Sequence, residues 1–468
     1  MTVGVQLIAQ DTVEKGLELA AAAGADGCVV LVDESSSANL RWANNTLTTN
    51  GVMRGSRTTV IATVGAGEGT ACGVVGQSAV TAESLAELVS AAVAAARSAD
   101  PAEDARPLID GGAGPGWDDE PGETSVGVYE SFAPALGEAL RRASKENRWL
   151  YGFADHQITT TYVASSTGLR LRHEQPAGHV TVTAKSGDLS QSAWVGSATR
   201  DFTDVDVTAL DAELVRRLGW ARRAIDLPAG RYPTVLPADA VSDLATYLYW
   251  TMGGRDAHEG RTVFSDPSGG TRVGEQLSPH PVMLRSDPRH PGMESSPFVT
   301  VHRSSSEFSV FDNGLTLRAT DWIRGGKLVN LLQSRFTADL TGLAVTPAID
   351  SYSLEVEGAT GTVDDLVAGV EDGLLLTCLW YIREVDPQTL LLTGLTRDGV
   401  YRVENGEVTG AVNNFRFNES PVDLLARFTQ AGATVPAFSR EWGDEFPRTS
   451  APPLLVPDFN MSSVSQAS

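Results

Sequence analysis

Residues 150–188, "LYGFADHQITTTYVASSTGLRLRHEQPAGHVTVTAKSGD", alternate between apolar and polar with a period of two over several strands' worth of chain. Such a pattern describes extended segments with one face buried, and it restricts the fold more than any other stretch. Segments of this kind joined by short turns pair antiparallel. The surrounding chain supplies helices. "DTVEKGLELAAAAG" (11–24) places Val13, Leu17 and Ala20 or Ala21 on one face, with Asp11 as a candidate cap and Gly24 as a stop. "TAESLAELVSAAVAAARSA" (81–99) begins at a capping Thr81, with Glu83 and Glu87 near its start and Arg97 near its end. "FAPALGEALRRASKEN" (132–147) and "DAELVRRLGWARRAID" (211–226) are also helical. Between them, 27–35, 39–50, 57–64 and 69–80 read as strands, with a hairpin turn expected at Asn50-Gly51. Helices interspersed with antiparallel hairpins predict an α+β fold.

From 228 onward strands dominate. "PAGRYPTVLPADAVSDLATYLYWTMGG" (228–254) reads as a strand and a helix, with Pro237 and Asp239 at the helix start. "FVTVHRSS", "LTLRATDWI", "YSLEVEGA", "GLLLTCLWYIREVD" and the stretch 390–417 follow as strands, with a tight turn at Asn405-Gly406. "SPVDLLARFTQAG" (420–432) is a short helix opened by Ser420-Pro421. The expected division is an α+β domain over 1–227, with a Pro-, Gly- and Asp-rich exposed connector at 100–125, and a β-rich domain over 228–468. The boundary lies where the helix ends near Asp226 and "LPAGRYP" begins.

A net charge of −23 argues against nucleic-acid and anionic-membrane partners, which require a basic footprint. No run of eighteen or more apolar residues predicts a membrane helix, and the N-terminal stretch lacks the basic and apolar regions of a secretory signal. The cysteines, Cys28, Cys72 and Cys378, stand alone, without a disulfide framework or a paired metal motif, so a cytoplasmic location is expected.

Candidate chemistry centres on "GGRDAHEGRTVF" (253–264). Its pair His258-Glu259 is what a helical zinc peptidase would use as ligand and general base, given a second imidazole one turn later. Arg261, Thr262 and Val263 occupy the positions where that imidazole would stand, and Gly260 weakens a helix there. His280 and His290 sit in a Pro-rich loop, and the remaining histidines are scattered. Cys378 lies in an apolar run and reads as a core residue. No G-x-S-x-G elbow appears, and "SDPSGGT" (265–271) lacks the lysine of a phosphate-binding loop.

Several stretches together resemble the TldD/PmbA (TldD/TldE) metallopeptidase family: "LRWANNTLTTNGVMRGSRTTVIATVGAGEGTACG", "EGRTVFSDPSGGTRVGEQL", "LLVPDFNMSS" and, most specifically, "LTRDGVYRVENGEVTGAVNNFRFNESPVDLL". The resemblance implies a TldD/TldE-type heterodimer acting on small or unfolded peptides. One subunit carries zinc on a His-Glu-x-x-x-His helix with a later cysteine ligand, and the other lacks these ligands and completes the substrate chamber. Aligned on "VFS", the metal helix falls on "ATYLYWTMGG" (245–254), which holds neither histidine nor glutamate, and Cys378 is too early to be the cysteine ligand. The resemblance therefore implies a TldE/PmbA-like subunit with no cofactor of its own and zinc on a TldD-like partner. Arg255, Asp256, His258 and Arg261 are expected to contact substrate. Two other readings stay open: an autonomous metallopeptidase with a displaced site at His258 and Glu259 plus distant ligands such as His280 or His290, and a non-proteolytic peptide-binding or biosynthetic tailoring subunit.

Overall fold

The computed structural model describes residues 8–397 and 399–465. The first seven residues, where part of the signal-sequence reading falls, and the last three of the polar tail lie outside that range. The chain is α+β, as the alternation implied.

The first half is built on one six-stranded antiparallel sheet in the order β3-β2-β1-β4-β5-β6. Its strands are β1 (Gly27–Ala43), β2 (Thr46–Ala66), β3 (Gly69–Ser78), β4 (Arg148–Ser165), β5 (Arg170–Ser186) and β6 (Ser192–Thr199). The period of two sorts the side chains onto two faces. Val30, Val32, Ala38, Leu40 and Trp42 of β1 and Ala154, Tyr162 and Ala164 of β4 lie on one face, among the cores formed by α1 (Ala9–Ala22), α2 (Ala82–Ser98), α3 (Phe132–Lys145) and α4 (Val207–Trp220). The odd-numbered residues of the same strands face the other way. Thr81 caps α2 as expected, in a reciprocal arrangement with Ser84. Gly73 lets α2 lie directly on β3, since a Cβ there would sit 2.1 Å from the Ala92 carbonyl oxygen.

Several local expectations change. The first hairpin does not turn at Asn50-Gly51. Residues 46–66 form one strand, Gly51 pairs with Asn39, and the turn is at Asn44 and Asn45, both with positive φ. Asp11 lies in the first turn of α1, not at its cap, which is Ile8. The helix expected over 211–226 starts four residues earlier, capped by Asp206, and ends at Trp220. The stretch 298–305 makes only an isolated bridge, Phe298 to Thr316, because its apolar residues pack individually under the first sheet.

Among the described residues, the second half holds two sheets. One orders the strands Lys327–Leu328, Thr320–Arg324, Val282–Ser286, Tyr352–Val356, Thr449–Ala451 and Val435–Ala437. The larger runs from Trp380–Asp386 through the central Leu454–Val464 and Gly230–Leu236 to Glu407–Val412 and Ala224–Ile225. The turn at Asn405-Gly406 is present, with φ of 52° and 80°. Helix α5 (Ala238–Trp250) lies within the core that both sheets share and is buried nearly all round. The short α6 (Gly254–His258) follows it. Residues 100–125 lack regular elements and lie along the sheet, with Trp117 edge-on to Tyr162 at 5.7 Å. No helix among the described residues is long and apolar enough to cross a membrane.

Candidate functional site

The face of the first sheet turned away from its helices roofs a cleft. The same alternation that sends Val180 and Val182 into the core sends Asp155, Gln157, Thr159, His173, Gln175 and His179 into this space. The floor comes from the second half. The cleft consists of two cavities of about 1210 and 1140 Å3, which share His173, Gln175, Phe438 and Arg448 as walls. The larger cavity is lined by two sheet-edge strands, β6 on one side and Val435–Ala437 on the other.

One aromatic wall runs through the smaller cavity. The His179 ring stacks on Phe438 at 5.6 Å, and Phe438 stacks on Trp194 at 6.3 Å. The Arg440 guanidinium lies over Trp194 at 5.3 Å and over Trp380 at 4.5 Å. The segment carrying Phe438 and Arg440 is pinned by two acids one turn apart on α5. Asp239 accepts from the Phe438 amide at 2.8 Å, and Asp243 accepts from the Glu441 amide at 3.0 Å and from the Ser439 hydroxyl. Burial pushes both carboxyls up, Asp239 to about 6 and Asp243 to about 7.

Burial also lowers His173 and His179, in His179 against the opposing pull of Asp155 and Asp444. Both shifts favour the neutral imidazole over the cation. His173 pairs through Nε2 with Gln175 Oε1 at 3.0 Å. Glu307, at the cavity wall, is raised to about 7 by burial and then by Asp256. Arg448 is engaged by Asp350.

The residues singled out around "GGRDAHEGRTVF" do not line the cleft. Arg255 bonds Glu259 at 2.8 Å and Glu103 at 2.5 Å, and Arg261 bonds Asp256 at 2.6 Å and Glu259 at 2.5 Å. This charge cluster brings together Arg255, Asp256, Glu259 and Arg261 around α6, with His258 at the end of the helix. None of the five lines either cavity. His280 rests on Phe428 at 4.1 Å and does not line either cavity, whereas His290 lines the larger cavity. Among the described residues no three His, Cys, Asp or Glu side chains converge as metal ligands.

The stretch 245–254, where the resemblance would put a zinc helix, is packed with apolar and aromatic side chains. Ala245, Leu248, Tyr249 and Met252 are in the core. The Tyr247 and Tyr249 hydroxyls donate to the Ile382 and Ile349 carbonyls, both at 2.7 Å, and Trp250 packs against Trp442 at 4.9 Å. These side chains do not fit a metal, whose ligands must be imidazole, thiolate or carboxylate.

Trp194, Trp380, Phe438 and Arg440 escaped the sequence reading. The available signal was the run of polar residues at odd positions of β4 and β5, which marks a sheet face turned neither to core nor to bulk water.

Residues 229–463, half of the chain, match the family described as the PmbA/TldA metallopeptidase C-terminal domain. No curated protein matches the sequence. Among solved structures, TldE from Thermococcus kodakarensis superposes with a TM-score of 0.77 at 16% identity, covering 96% of this chain and 99% of that one. A proposed modulator of a DNA gyrase from Thermotoga maritima gives 0.73 at 16%, covering 96% and 99%. Another from Bacteroides thetaiotaomicron gives 0.73 at 14%, covering 97% and 99%. At these identities the likeness is one of fold. With the family match over the second half and the shared fold over nearly the whole length, the chain belongs to the PmbA/TldA (TldD/PmbA) metallopeptidase family.

Proposed function

We propose that the chain is the TldE/PmbA-like subunit of a heterodimeric zinc metallopeptidase that degrades or matures small or unfolded peptides. It forms part of the substrate chamber, while zinc and the catalytic base reside on a TldD-like partner. One observation carries this reading: in a member of a metallopeptidase family, the stretch expected to hold the metal is filled by packed aromatic and aliphatic side chains.

The shape of the cleft supports this reading. Its larger cavity lies between two sheet edges, and an extended peptide can pair with such an edge through main-chain hydrogen bonds that are indifferent to side-chain sequence. The charges around α6 lie outside the cavities and, in this reading, meet the partner instead of the peptide. A cytoplasmic setting agrees with the three free cysteines.

The test is zinc content and peptide hydrolysis of the purified chain, alone and after co-expression with a TldD-like partner. We expect a metal-free, inert chain alone, and zinc with activity in the complex. Stoichiometric zinc and peptide cleavage by the chain alone would overturn the proposal.

A further inference from the structure

Arg440 differs from the other arginines of the cleft. Arg448 is bonded to Asp350, and Arg200 lies 3.8 Å from Glu294. Among the described residues Arg440 has no carboxylate partner. Its Nη1 is engaged, with the Arg397 carbonyl at 3.3 Å and with Cys378 Sγ. The Nε and Nη2 donors find no acceptor among the described residues. The side chain is half-buried, lies on two tryptophan faces and lines the cavity of about 1140 Å3. Its backbone is fixed by the bonds that Asp239 and Asp243 accept from residues 438, 439 and 441.

A guanidinium held this firmly, with open donors in a partly desolvated cavity, is a ready-made receptor for a planar anion. A carboxylate matches its fork with two parallel bonds. The carboxylates nearest along the chain do not fill that role, because Glu441 bonds Arg383 at 3.1 Å and accepts from the Tyr381 amide. Beside Arg440, Trp194 and Phe438 offer an apolar wall for a side chain. We propose that Arg440 binds the C-terminal carboxylate of a peptide in this cavity, with the last side chain of the peptide against Trp194 and Phe438. The proposal rests on the reading of the cleft as a peptide chamber. It adds that the chamber recognises a free chain end.

The test is calorimetric binding of three tetrapeptides to the full-length chain: Ala-Ala-Ala-Phe as the free acid, the same peptide as its C-terminal amide, and the amide of Ala-Ala-Glu-Phe. A charge-assisted paired contact predicts that the acid binds about 10–100-fold more tightly than its amide. Arg440→Gln should reduce the acid to the affinity of the amide while leaving the amide unchanged, which also shows that the variant is folded. Arg440→Lys, which keeps the charge and loses the fork, should fall between. Equal binding of acid and amide by the wild type overturns the carboxylate assignment and leaves the peptide chamber standing. Tight binding of the glutamate-containing amide overturns the chain-end assignment in favour of a side-chain carboxylate. No binding of any peptide removes both readings. The wild-type ratio decides the question even if both Arg440 variants unfold.

Discussion

Asp243 shows how much a single residue sets in this cleft. It is a carboxylate on a helix buried nearly all round, and its bonds to Ser439 and Glu441 hold the segment that presents Phe438 and Arg440. Burial raises its pKa to about 7, with Asp239 and Glu441 adding to the rise and the Ser439 hydroxyl and Glu441 amide opposing it. The unfolded chain releases this proton near pH ~4. Between about pH 4 and 7 the folded state therefore holds a proton that the unfolded state has lost, so this group's contribution to stability falls as pH rises through that window and is flat above it. The slope from one such group reaches about 1.4 kcal/mol per pH unit. Asp243→Asn keeps an accepting oxygen and removes the titration. Urea unfolding from pH 5 to 8 should show a shallower decline for the variant than for the wild type. Identical slopes would mean that Asp243 stays charged throughout.

At the scale of elements, the first hairpin shows what could and could not be read from the sequence. Asn405-Gly406 was legible because short strands flank it and both residues take positive φ. Asn50-Gly51 has the same signature but lies inside a strand running from Thr46 to Ala66. Ordinary strands are far shorter, so the long ribbon read as separate strands with a hairpin turn at Asn50-Gly51. The true turn depends on Asn45, at φ 60°. Its side chain accepts from the Leu150 amide and donates to the Arg148 carbonyl, both at 2.7 Å, which ties the turn to β4, a strand a hundred residues away in the chain. No local pattern carries that information. The cleft was hidden for the same reason, since its walls come from residues as distant as Asp155 and Arg448. Asn45→Gly keeps the backbone conformation and loses the side-chain bonds, to Ser144 as well as to Arg148 and Leu150, whereas Asn45→Ala loses the same bonds and also strains φ. The alanine variant should be less stable than the glycine variant by about 1 kcal/mol. Equal midpoints in thermal unfolding would assign the whole effect to the side-chain bonds.

At the scale of the molecule, the two halves share a core. Val29, Leu31, Ile61 and Val163, on the helix-free face of the first sheet, pack with Phe298, Val299, Val310, Phe311, Leu317 and Ile349 of the second half. Polar bonds run alongside: Asp104 accepts from Ser304 and Ser309, Arg106 binds Asp339 at 2.7 Å, and Arg335 donates to the Pro107 carbonyl at 2.9 Å. The cleft is therefore bounded by surfaces locked to one another through a buried apolar layer, and its width is set by packing. A hinge would need that layer to open, which costs apolar burial on both sides at once. Phe311 is 1% exposed at its centre. Truncating it to alanine should cost about 3–5 kcal/mol. Because the layer belongs to both halves, calorimetry should show one transition in the wild type and one transition, at lower temperature, in Phe311→Ala. Two transitions of which only one moves would show that the halves fold separately, and the cleft would then be free to open and close between them.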